Sequence, residues 1–362
     1  MIRLSDLIRD IKGSHEEQGK KVPGKPATPP PSALRLTEGS QARPESAGSS
    51  PESVTFRALG ATLANAATSQ NTLSWYTLAE QELTGIATAV REDRLFSMDE
   101  ISRVAAGMVD ALRQNDQLLA KALSGHPGHV LITNMVNAAV LAIKIAVGLG
   151  YKRDDQIRIA QAALLHDVGM FMLPEAVVAK PEKLNPEERA MVQRHPELGY
   201  QILSKLGSQY DWLAQVALQE HERSGGQGYP KGLKESQIHE YASIVGLVDV
   251  FDALLSPRPY RRRFPPHEAV RELLMAERNS FPSQLIKVLL QQVSVFPLGT
   301  SVRLNTGEVG VVKVPNPRFP LRPVVEVSQA FDGTRPAEPK LLDLSKNTLV
   351  HIVDVLQPAE VV

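Results

Sequence analysis

The chain of 362 residues contains no cysteine. This absence excludes disulfide bonds, cysteine-ligated zinc, iron–sulfur clusters and thiol catalysis. Any metal site must therefore use histidine, carboxylate or amide ligands. The chain has nine histidines with which to build one.

A net charge of either sign is also absent, because 40 lysines and arginines balance 40 aspartates and glutamates. The chain therefore has no overall basic field that would attract DNA, RNA or an anionic membrane. We predict no DNA partner.

Long apolar segments are scarce. Met1–Lys12 is charged throughout and lacks the apolar core of a signal peptide. The most apolar run, Ala138–Gly150, contains Lys144 and is too short to span a bilayer. The sequence therefore predicts no transmembrane segment and a cytoplasmic location.

The first 53 residues differ from the rest of the chain. Met1–Lys12 places its isoleucines and leucines near one side of a possible short helix. Two interpretations stay open for it: a frayed terminus, or a peptide that docks on a partner or grazes a membrane. Gly13–Glu52 carries seven prolines among Ser, Gly, Lys and Glu, which indicates a flexible linker.

Helical periodicity dominates the following region, and nothing before residue 295 alternates as a strand does. Ser97 is predicted as a helix N-cap, with Glu100 at the third helical position. The predicted helices are Phe56–Arg91, one that starts after Ser97, Leu131–Gly150, Ile157–Val168, Pro186–Leu206, Trp212–Arg223, Ile238–Leu255, His267–Ala276 and Pro282–Ser294.

The composition changes near Phe296, where short β-branched runs begin. Predicted strands are Thr300–Leu304, Val309–Val314 and Val324–Val327, and Leu341–Leu356 is expected to add one or two more. The predicted segments are thus 1–53 (amphipathic stretch and linker), 54–122 (helical N-terminal region), 123–295 (helical domain) and 296–362 (β-rich extension).

The residues with chemical potential lie in or at the ends of the predicted apolar helices. His166-Asp167 follows an Ala-Leu-Leu run, and His195, His221 and Asp249 lie further along. Each residue alone is more often a satisfied core or surface residue than a ligand, because burial of such a group is costly without a partner. An adjacent His-Asp pair is more specific, because a carboxylate can bridge two metals while the imidazole binds one of them.

Several blocks together resemble the HD-GYP family of metal-dependent phosphohydrolases. The resemblance covers roughly 134–276 and includes Ala163–Gly169 (ALLHDVG), His195–Gly199 (HPELG), Gly226–Leu233 (GQGYPKGL), Val248–Leu254 (VDVFDAL) and Arg258–Arg261 (RPYR). Residues 297–356 also look like the C-terminal extension frequent in this family. The resemblance implies an all-helical domain that hydrolyses cyclic di-GMP to pGpG or GMP with two or three metal ions, often iron or manganese.

Carried over position by position, the resemblance implies a mixed site. His166 and Asp167 match the namesake catalytic pair, with Asp167 as the metal bridge. The implied metal ligands are His166, Asp167, His195, Glu220, His221 and Asp249, with Asn134 as a weaker, neutral one. This implies two divalent metal ions, iron or manganese being favoured. Asp167, His195, Glu220 and His221 would surround one ion, and His166, Asp167 and Asp249, with Asn134, the other.

Four positions depart from the family pattern. Glu220 and Asn134 stand where histidines are usual, Met170 replaces a lysine, and Gly225 replaces an aspartate. Glu220 keeps a competent oxygen ligand, whereas Asn134 offers only a neutral carbonyl. Met170 removes a positive charge that would stabilise a developing anion.

The family's phosphate-binding loop corresponds to Arg258 and Arg261, for which a solvated basic loop is an equal alternative. Gly228 and Tyr229 belong to the Gly-Tyr-Pro turn, which either is purely structural or contacts substrate or a protein partner. His15, His126, His129, His239, His267 and His351 match no family ligand position and are predicted to bind no metal.

Three functions remain open at this point. The first is a cyclic di-GMP phosphodiesterase with a binuclear metal centre. The second is a catalytically degenerate member of the same fold that senses cyclic di-GMP or docks proteins through the Gly-Tyr-Pro loop or the N-terminal segment. The third is a nucleotidase or phosphomonoesterase of the wider HD superfamily.

Overall fold

The computed structural model describes residues 54–124, 130–180, 182–256, 264–277, 279–293, 296, 299–316, 318–336, 340–347 and 349–356. The predicted N-terminal stretch and linker lie outside these ranges, as do Arg258, Arg261, His126 and His129. Within the described chain, helices come first and strands follow. This order confirms the predicted mainly α domain with a small β-rich C-terminal region.

Three helices begin the described chain: α1 (Val54–Arg91), α2 (Asp99–Gln114) and α3 (Gln117–Ser124). Helix α2 is amphipathic, and its predicted core face is buried. Ser97 is not its N-cap, because Met98 occupies that position. The Ser97 hydroxyl accepts a hydrogen bond from the Asp99 amide at 3.1 Å in a turn that precedes the helix.

Helix α4 (Val130–Gly148) lies at the centre of the domain and packs along α5 (Arg153–Leu165). The prediction that its apolar run is too short for a membrane is wrong. Its window Leu131–Gly148 has 18 residues and a mean hydropathy of 1.7, enough to cross a bilayer by length and composition. However, 72% of that window is buried inside the fold, as is typical of a core helix.

The next elements carry the candidate site and complete the helical domain. They are a 3-10 helix at Val168–Met172, α6 (Glu175–Val178), α7 (Pro186–Val192), α8 (His195–Ser204), α9 (Asp211–Gln219), α10 (Glu240–Leu255), α11 (Pro266–Ala276) and α12 (Ser283–Gln292).

The single helix predicted at Pro186–Leu206 is wrong, because the chain forms α7 and α8 there. Pro196 follows the break and lies in the first turn of α8. A proline has no amide hydrogen and clashes with the preceding helical turn, so it is accepted at a helix start and not in its interior. His195 is consequently the first residue of α8 instead of lying within a longer helix.

The C-terminal strands form one antiparallel sheet in the order β4-β3-β2-β1-β5. They are β1 (Ser301–Leu304), β2 (Val309–Val314), β3 (Val324–Gln329), β4 (Lys340–Asp343) and β5 (Ile352–Val355). The inward residues Val302, Val312 and Val325 are fully buried and join the same apolar cluster as the helices.

Candidate metal centre

His166 and Asp167 follow the last turn of α5, where the chain passes into the 3-10 helix. The His166 side chain is fully buried. Its Nδ1 lies 2.7 Å from the carbonyl oxygen of Ala163. A carbonyl only accepts, so Nδ1 carries a proton, and in the neutral ring Nε2 is the electron-pair donor. This type of hydrogen bond sets the tautomer and direction of a metal-ligating histidine.

His195 is anchored in the same way at the start of α8. Its Nδ1 donates to the carbonyl oxygen of Val192 at 2.7 Å, and its side chain is fully buried. The 3-10 helix approaches α8 so closely that a Cβ on Gly169 would lie 2.0 Å from the His195 carbonyl oxygen. Only glycine fits there, and this close contact brings Asp167 beside His195.

Glu220 and His221 follow the end of α9, and both side chains are buried. The Nε2 atoms of His221 and His195 are 3.1 Å apart. Glu220 Oε1 lies 3.4 Å from each of these two nitrogens. Three potential ligands therefore converge from two separate parts of the chain.

Two carboxylates each lie between His195 and His166. Asp167 places Oδ1 3.3 Å from His195 Nε2 and Oδ2 3.5 Å from His166 Nε2. Glu220 does the same, with Oε1 near His195 and Oε2 3.7 Å from His166 Nε2. Asp249, on α10, adds Oδ1 at 3.9 Å from His166 Nε2. We call these six residues the ligand cluster: His166, Asp167, His195, Glu220, His221 and Asp249.

The donor set fits a divalent cation. Asp167, His195, Glu220 and His221 each offer a ligand atom, and these four atoms all lie within 4.8 Å of one another. Two ligands bound at about 2.0–2.2 Å to one cation lie on the order of 3–3.5 Å apart, close to the separations observed. Several buried atoms of the ligand cluster also have no hydrogen-bond partner among the described residues: His166 Nε2, Asp167 Oδ1, Glu220 Oε2, His221 Nδ1 and Asp249 Oδ2.

Burial and mutual charge shift the ionisation of the ligand cluster. Burial raises the pKa of the Glu220 carboxyl above its ordinary value. Burial also lowers the pKa of His221 well below its ordinary value, with His195 adding to this effect. At His166, burial favours the neutral ring, but the carboxylates of Glu220 and Asp167 outweigh it and the pKa is raised. Excess negative charge therefore surrounds His166, which is an environment that a cation would stabilise.

The departures from the family pattern lie in different surroundings. Met170 is buried and packs with Leu184 and Val192 in a small apolar cluster. Asn134 lies on α4 and is half-buried. Gly225 is exposed, and its backbone forms an isolated antiparallel bridge with Lys234.

The Gly-Tyr-Pro turn covers one side of the ligand cluster. The Tyr229 ring stacks on the His221 ring, with centroids 4.7 Å apart and planes 14° from parallel. Gly228 lies against the ligand-bearing segment, and a Cβ there would be 2.4 Å from the His221 carbonyl oxygen. Arg258 and Arg261, the other predicted substrate contacts, lie outside the described residues.

Sequence analysis missed two polar arrangements beside the ligand cluster. In the first, the Tyr76 hydroxyl donates to Asn137 Oδ1 at 2.6 Å, and Asn137 Nδ2 donates to Asp252 Oδ1 at 2.9 Å. We call these three buried residues the polar chain. In the second, the buried Glu222 carboxylate accepts hydrogen bonds from the amides of Lys231 and Leu233. A polar residue within an apolar helix was the available signal for Asn137 and Asp252.

Comparison with known families assigns two segments. Residues 115–284 match the model described as "HD domain". Residues 301–362 match the model described as "KOW domain associated with HD domain".

Curated proteins with similar sequences are named cyclic di-GMP phosphodiesterases. The chain is 34% identical over 231 residues to "Cyclic di-GMP phosphodiesterase PA4108" of Pseudomonas aeruginosa, covering 63% of this chain and 55% of that protein. It is 34% identical to "Cyclic di-GMP phosphodiesterase response regulator RpfG" of Xanthomonas campestris pv. campestris, covering 57% and 52%. The chain thus spans about half the length of these relatives.

A third relative carries a different substrate in its name. "3'3'-cGAMP-specific phosphodiesterase 3" of Vibrio cholerae is 37% identical over 147 residues, covering 41% of this chain and 30% of that protein. Among solved structures, "Bd1817, a HDG"Y"P protein from Bdellovibrio bacteriovorus" has a TM-score of 0.49 at 23% identity, covering 60% of this chain and 68% of that one.

Proposed function

We propose that this chain, which contains an HD domain of the HD-GYP family, is a metal-dependent phosphodiesterase that hydrolyses cyclic di-GMP. One observation carries the proposal. Asp167 and Glu220 each direct one carboxylate oxygen toward His195 and the other toward His166. Two carboxylates that each span two imidazoles can hold a pair of neighbouring cations.

The proposed centre holds two divalent cations. His195 and His221 would bind the first through Nε2, together with Asp167 Oδ1 and Glu220 Oε1. His166 Nε2 and Asp249 Oδ1 would bind the second, together with the remaining oxygens of the two bridging carboxylates. Each cation then has four donors without any contribution from Asn134.

Glu220 is therefore a functional replacement for the histidine usual at its position. A second bridging carboxylate adds negative charge where two cations would repel each other. A mixed histidine and carboxylate shell suits iron or manganese, and the cluster contains no soft sulfur ligand.

Bound cations would supply electrostatic stabilisation of the entering and leaving oxygens during displacement at phosphorus. The protein residues orient the ligand atoms and exclude water. The main-chain anchors of His166 and His195 hold both Nε2 atoms in place before substrate arrives. Burial of the ligand cluster excludes water and strengthens each charge interaction. We further propose that Arg258 and Arg261 bind phosphate.

The test is hydrolysis of cyclic di-GMP by anaerobically purified protein loaded with Mn(II) or Fe(II), with pGpG and GMP quantified by chromatography. Metal content is measured on the same sample. The matched variant is Asp167→Asn, which keeps the side-chain shape and removes the bridging charge. We expect product from the parent protein and none from the variant. Absence of product with both metals bound would contradict the proposal. Parallel reactions with 3′3′-cGAMP and cyclic di-AMP define the substrate range.

One observation favours a second function, a cyclic di-GMP sensor that binds without turnover. Met170 contributes an apolar side chain, packed with Leu184 and Val192, where the family usually has a lysine. Loss of one charge-stabilising contact costs about 2.7–4 kcal/mol of barrier stabilisation. Calorimetric binding of cyclic di-GMP to the Mn(II)-loaded protein without product formation would identify this function.

A further inference from the structure

We propose that Tyr229 is a positioning residue that fixes the orientation of the metal ligand His221 by ring stacking. This role rests on the metal centre of the proposed function. It differs from a contact with substrate, because the reacting molecule need not touch Tyr229.

The three histidines of the ligand cluster are held in two different ways. His166 and His195 each donate from Nδ1 to a main-chain carbonyl three residues earlier, at 2.7 Å. His221 Nδ1 is buried and has no hydrogen-bond partner among the described residues. Its ring instead lies flat against the ring of Tyr229, at 4.7 Å between centroids. Stacking therefore takes the place of the hydrogen bond that usually orients a ligating histidine.

The loop that carries Tyr229 is fastened to the segment that carries His221. The Tyr229 amide donates to the His221 carbonyl oxygen at 3.2 Å. Glu222, the next residue after His221, accepts from the amides of Lys231 and Leu233 at 2.7 and 2.8 Å. These bonds fix the position of the Tyr229 ring relative to the His221 ring, because they join the loop directly to the segment that carries His221.

Two roles are possible for Tyr229, one through its hydroxyl and one through its ring. The hydroxyl oxygen is buried and has no hydrogen-bond partner among the described residues. A hydroxyl without a partner is open to a ligand, so a role through the hydroxyl and a role through the ring predict different results for Tyr229→Phe. The contact that Tyr229 does make is through the face of its ring. Phenylalanine should therefore preserve the function, and an aliphatic residue should not.

The first measurement is the affinity for Mn(II). The metal-free full chain is titrated with Mn(II), and the electron paramagnetic resonance signal of free Mn(II) reports how much remains unbound. We expect Tyr229→Leu to weaken binding by about 10–100-fold, the usual cost of losing a group that orients a ligand. Tyr229→Phe should bind as the parent does. Tyr151→Leu is the matched control, because Tyr151 also makes a ring contact, with Tyr241, but lies beyond the opposite end of α5 from Asp167.

The second measurement needs no metal. The ring current of Tyr229 should shift the carbon-bound protons of the His221 ring upfield in the nuclear magnetic resonance spectrum of the metal-free protein. His221→Gln assigns the signal. We expect the shift to disappear in Tyr229→Leu and to remain in Tyr229→Phe and Tyr151→Leu. If the parent chain binds no Mn(II), the proposed metal centre fails, while this signal still decides whether Tyr229 orients His221.

Two results would overturn the inference. Tyr229→Leu with parental Mn(II) affinity and an unmoved His221 signal would show that stacking does not orient the ligand. Equal losses in Tyr229→Phe and Tyr229→Leu would show that the hydroxyl matters instead of the ring. Circular dichroism checks the fold of each variant. If Tyr229→Leu does not fold, Glu222→Gln provides a milder change, because it weakens the hydrogen bonds that hold the Tyr229 loop. We then expect smaller losses of Mn(II) affinity and of the His221 ring-current shift.

Discussion

Helix α10 carries two buried aspartates one turn apart, and they belong to different regions of the molecule. Asp249 belongs to the ligand cluster and has an oxygen, Oδ2, without a partner among the described residues. Asp252 belongs to the polar chain, and its Oδ1 accepts a hydrogen bond from Asn137. The two residues are 6% and 1% exposed, so burial does not distinguish them. What distinguishes the two aspartates is whether their buried oxygens have hydrogen-bond partners.

This difference separates groups that serve the fold from groups that serve a ligand. Burial of a polar atom without a partner is unfavourable, so a cluster of such atoms in one place indicates a ligand that completes it. A satisfied polar chain contributes to the folded state itself. Changes in the ligand cluster should therefore affect metal affinity and spare the stability of the metal-free protein, and changes in the polar chain should do the reverse.

The largest expected effect is that of Glu220→Gln. The amide keeps the side-chain shape but removes the negative charge that faces both halves of the site. Mn(II) affinity should fall on the order of 100-fold, as measured by equilibrium titration. The metal-free variant should be at least as stable to urea as the parent, because burial already raises the pKa of this carboxyl. A loss of metal-free stability would show that Glu220 serves the fold.

Gly169→Ala should lower both metal affinity and the stability of the metal-free protein, unlike a change confined to the ligand cluster or to the polar chain. The added Cβ would lie 2.0 Å from the His195 carbonyl oxygen and 2.5 Å from the Gly199 amide nitrogen. Both are main-chain atoms, so the 3-10 helix or α8 must move. We expect a loss of about 1–3 kcal/mol in the free energy of unfolding together with weaker Mn(II) binding. Parental behaviour in both assays would mean that this contact does not set the spacing of Asp167 and His195.

Asn137→Leu tests the polar chain alone. The variant keeps a similar volume and removes the hydrogen bonds to Tyr76 and Asp252. The free energy of unfolding in urea should fall by about 2 kcal/mol, while Mn(II) affinity per folded molecule stays unchanged. A selective loss of metal affinity would show instead that the polar chain supports the ligand cluster through Asp249.

The smallest expected effect concerns a group outside both regions. Glu188 receives two 2.7 Å contacts from Lys180 and caps α7 together with Asn185. The hydrogen bond from Lys180 lowers the pKa of Glu188 below its ordinary value of 4.5. Its stabilising contribution is therefore present above pH 4.5 and is lost as the pH falls through the lowered pKa. Thermal unfolding of Glu188→Gln should differ slightly from the parent at pH 7 and converge with it in acid.

Local sequence patterns predicted most of the fold. Helices α2, α4 and α10 follow from their apolar patterns, and the strands follow from β-branched runs with turn residues between them. The errors lie where a single residue overrides the pattern. Pro196 divides a periodic stretch into two helices, and the Ser97 hydroxyl bonds to Asp99 one position away from the capping geometry.

The candidate site was less accessible to such patterns. The resemblance to the HD-GYP family implies the six ligand candidates and the weaker Asn134, but only the three-dimensional arrangement shows both oxygens of Glu220 between His195 and His166. The stacking of Tyr229 on His221 also depends on a loop that returns eight residues later. The assignments of these residues as metal ligands are predictions that the experiments above test, and the substrate contacts and segment boundaries stay predictions.

The contact at Gly169 has a consequence for how such a site can diversify. At Gly169 the 3-10 helix meets α8 through main-chain atoms, the His195 carbonyl oxygen and the Gly199 amide nitrogen. The distance between the two ligand-bearing segments is therefore independent of the ligands they carry. A side chain on either segment can be exchanged for another while the supporting frame keeps its dimensions. A scaffold of this kind can change its metal preference in single substitutions, without rebuilding the core around them.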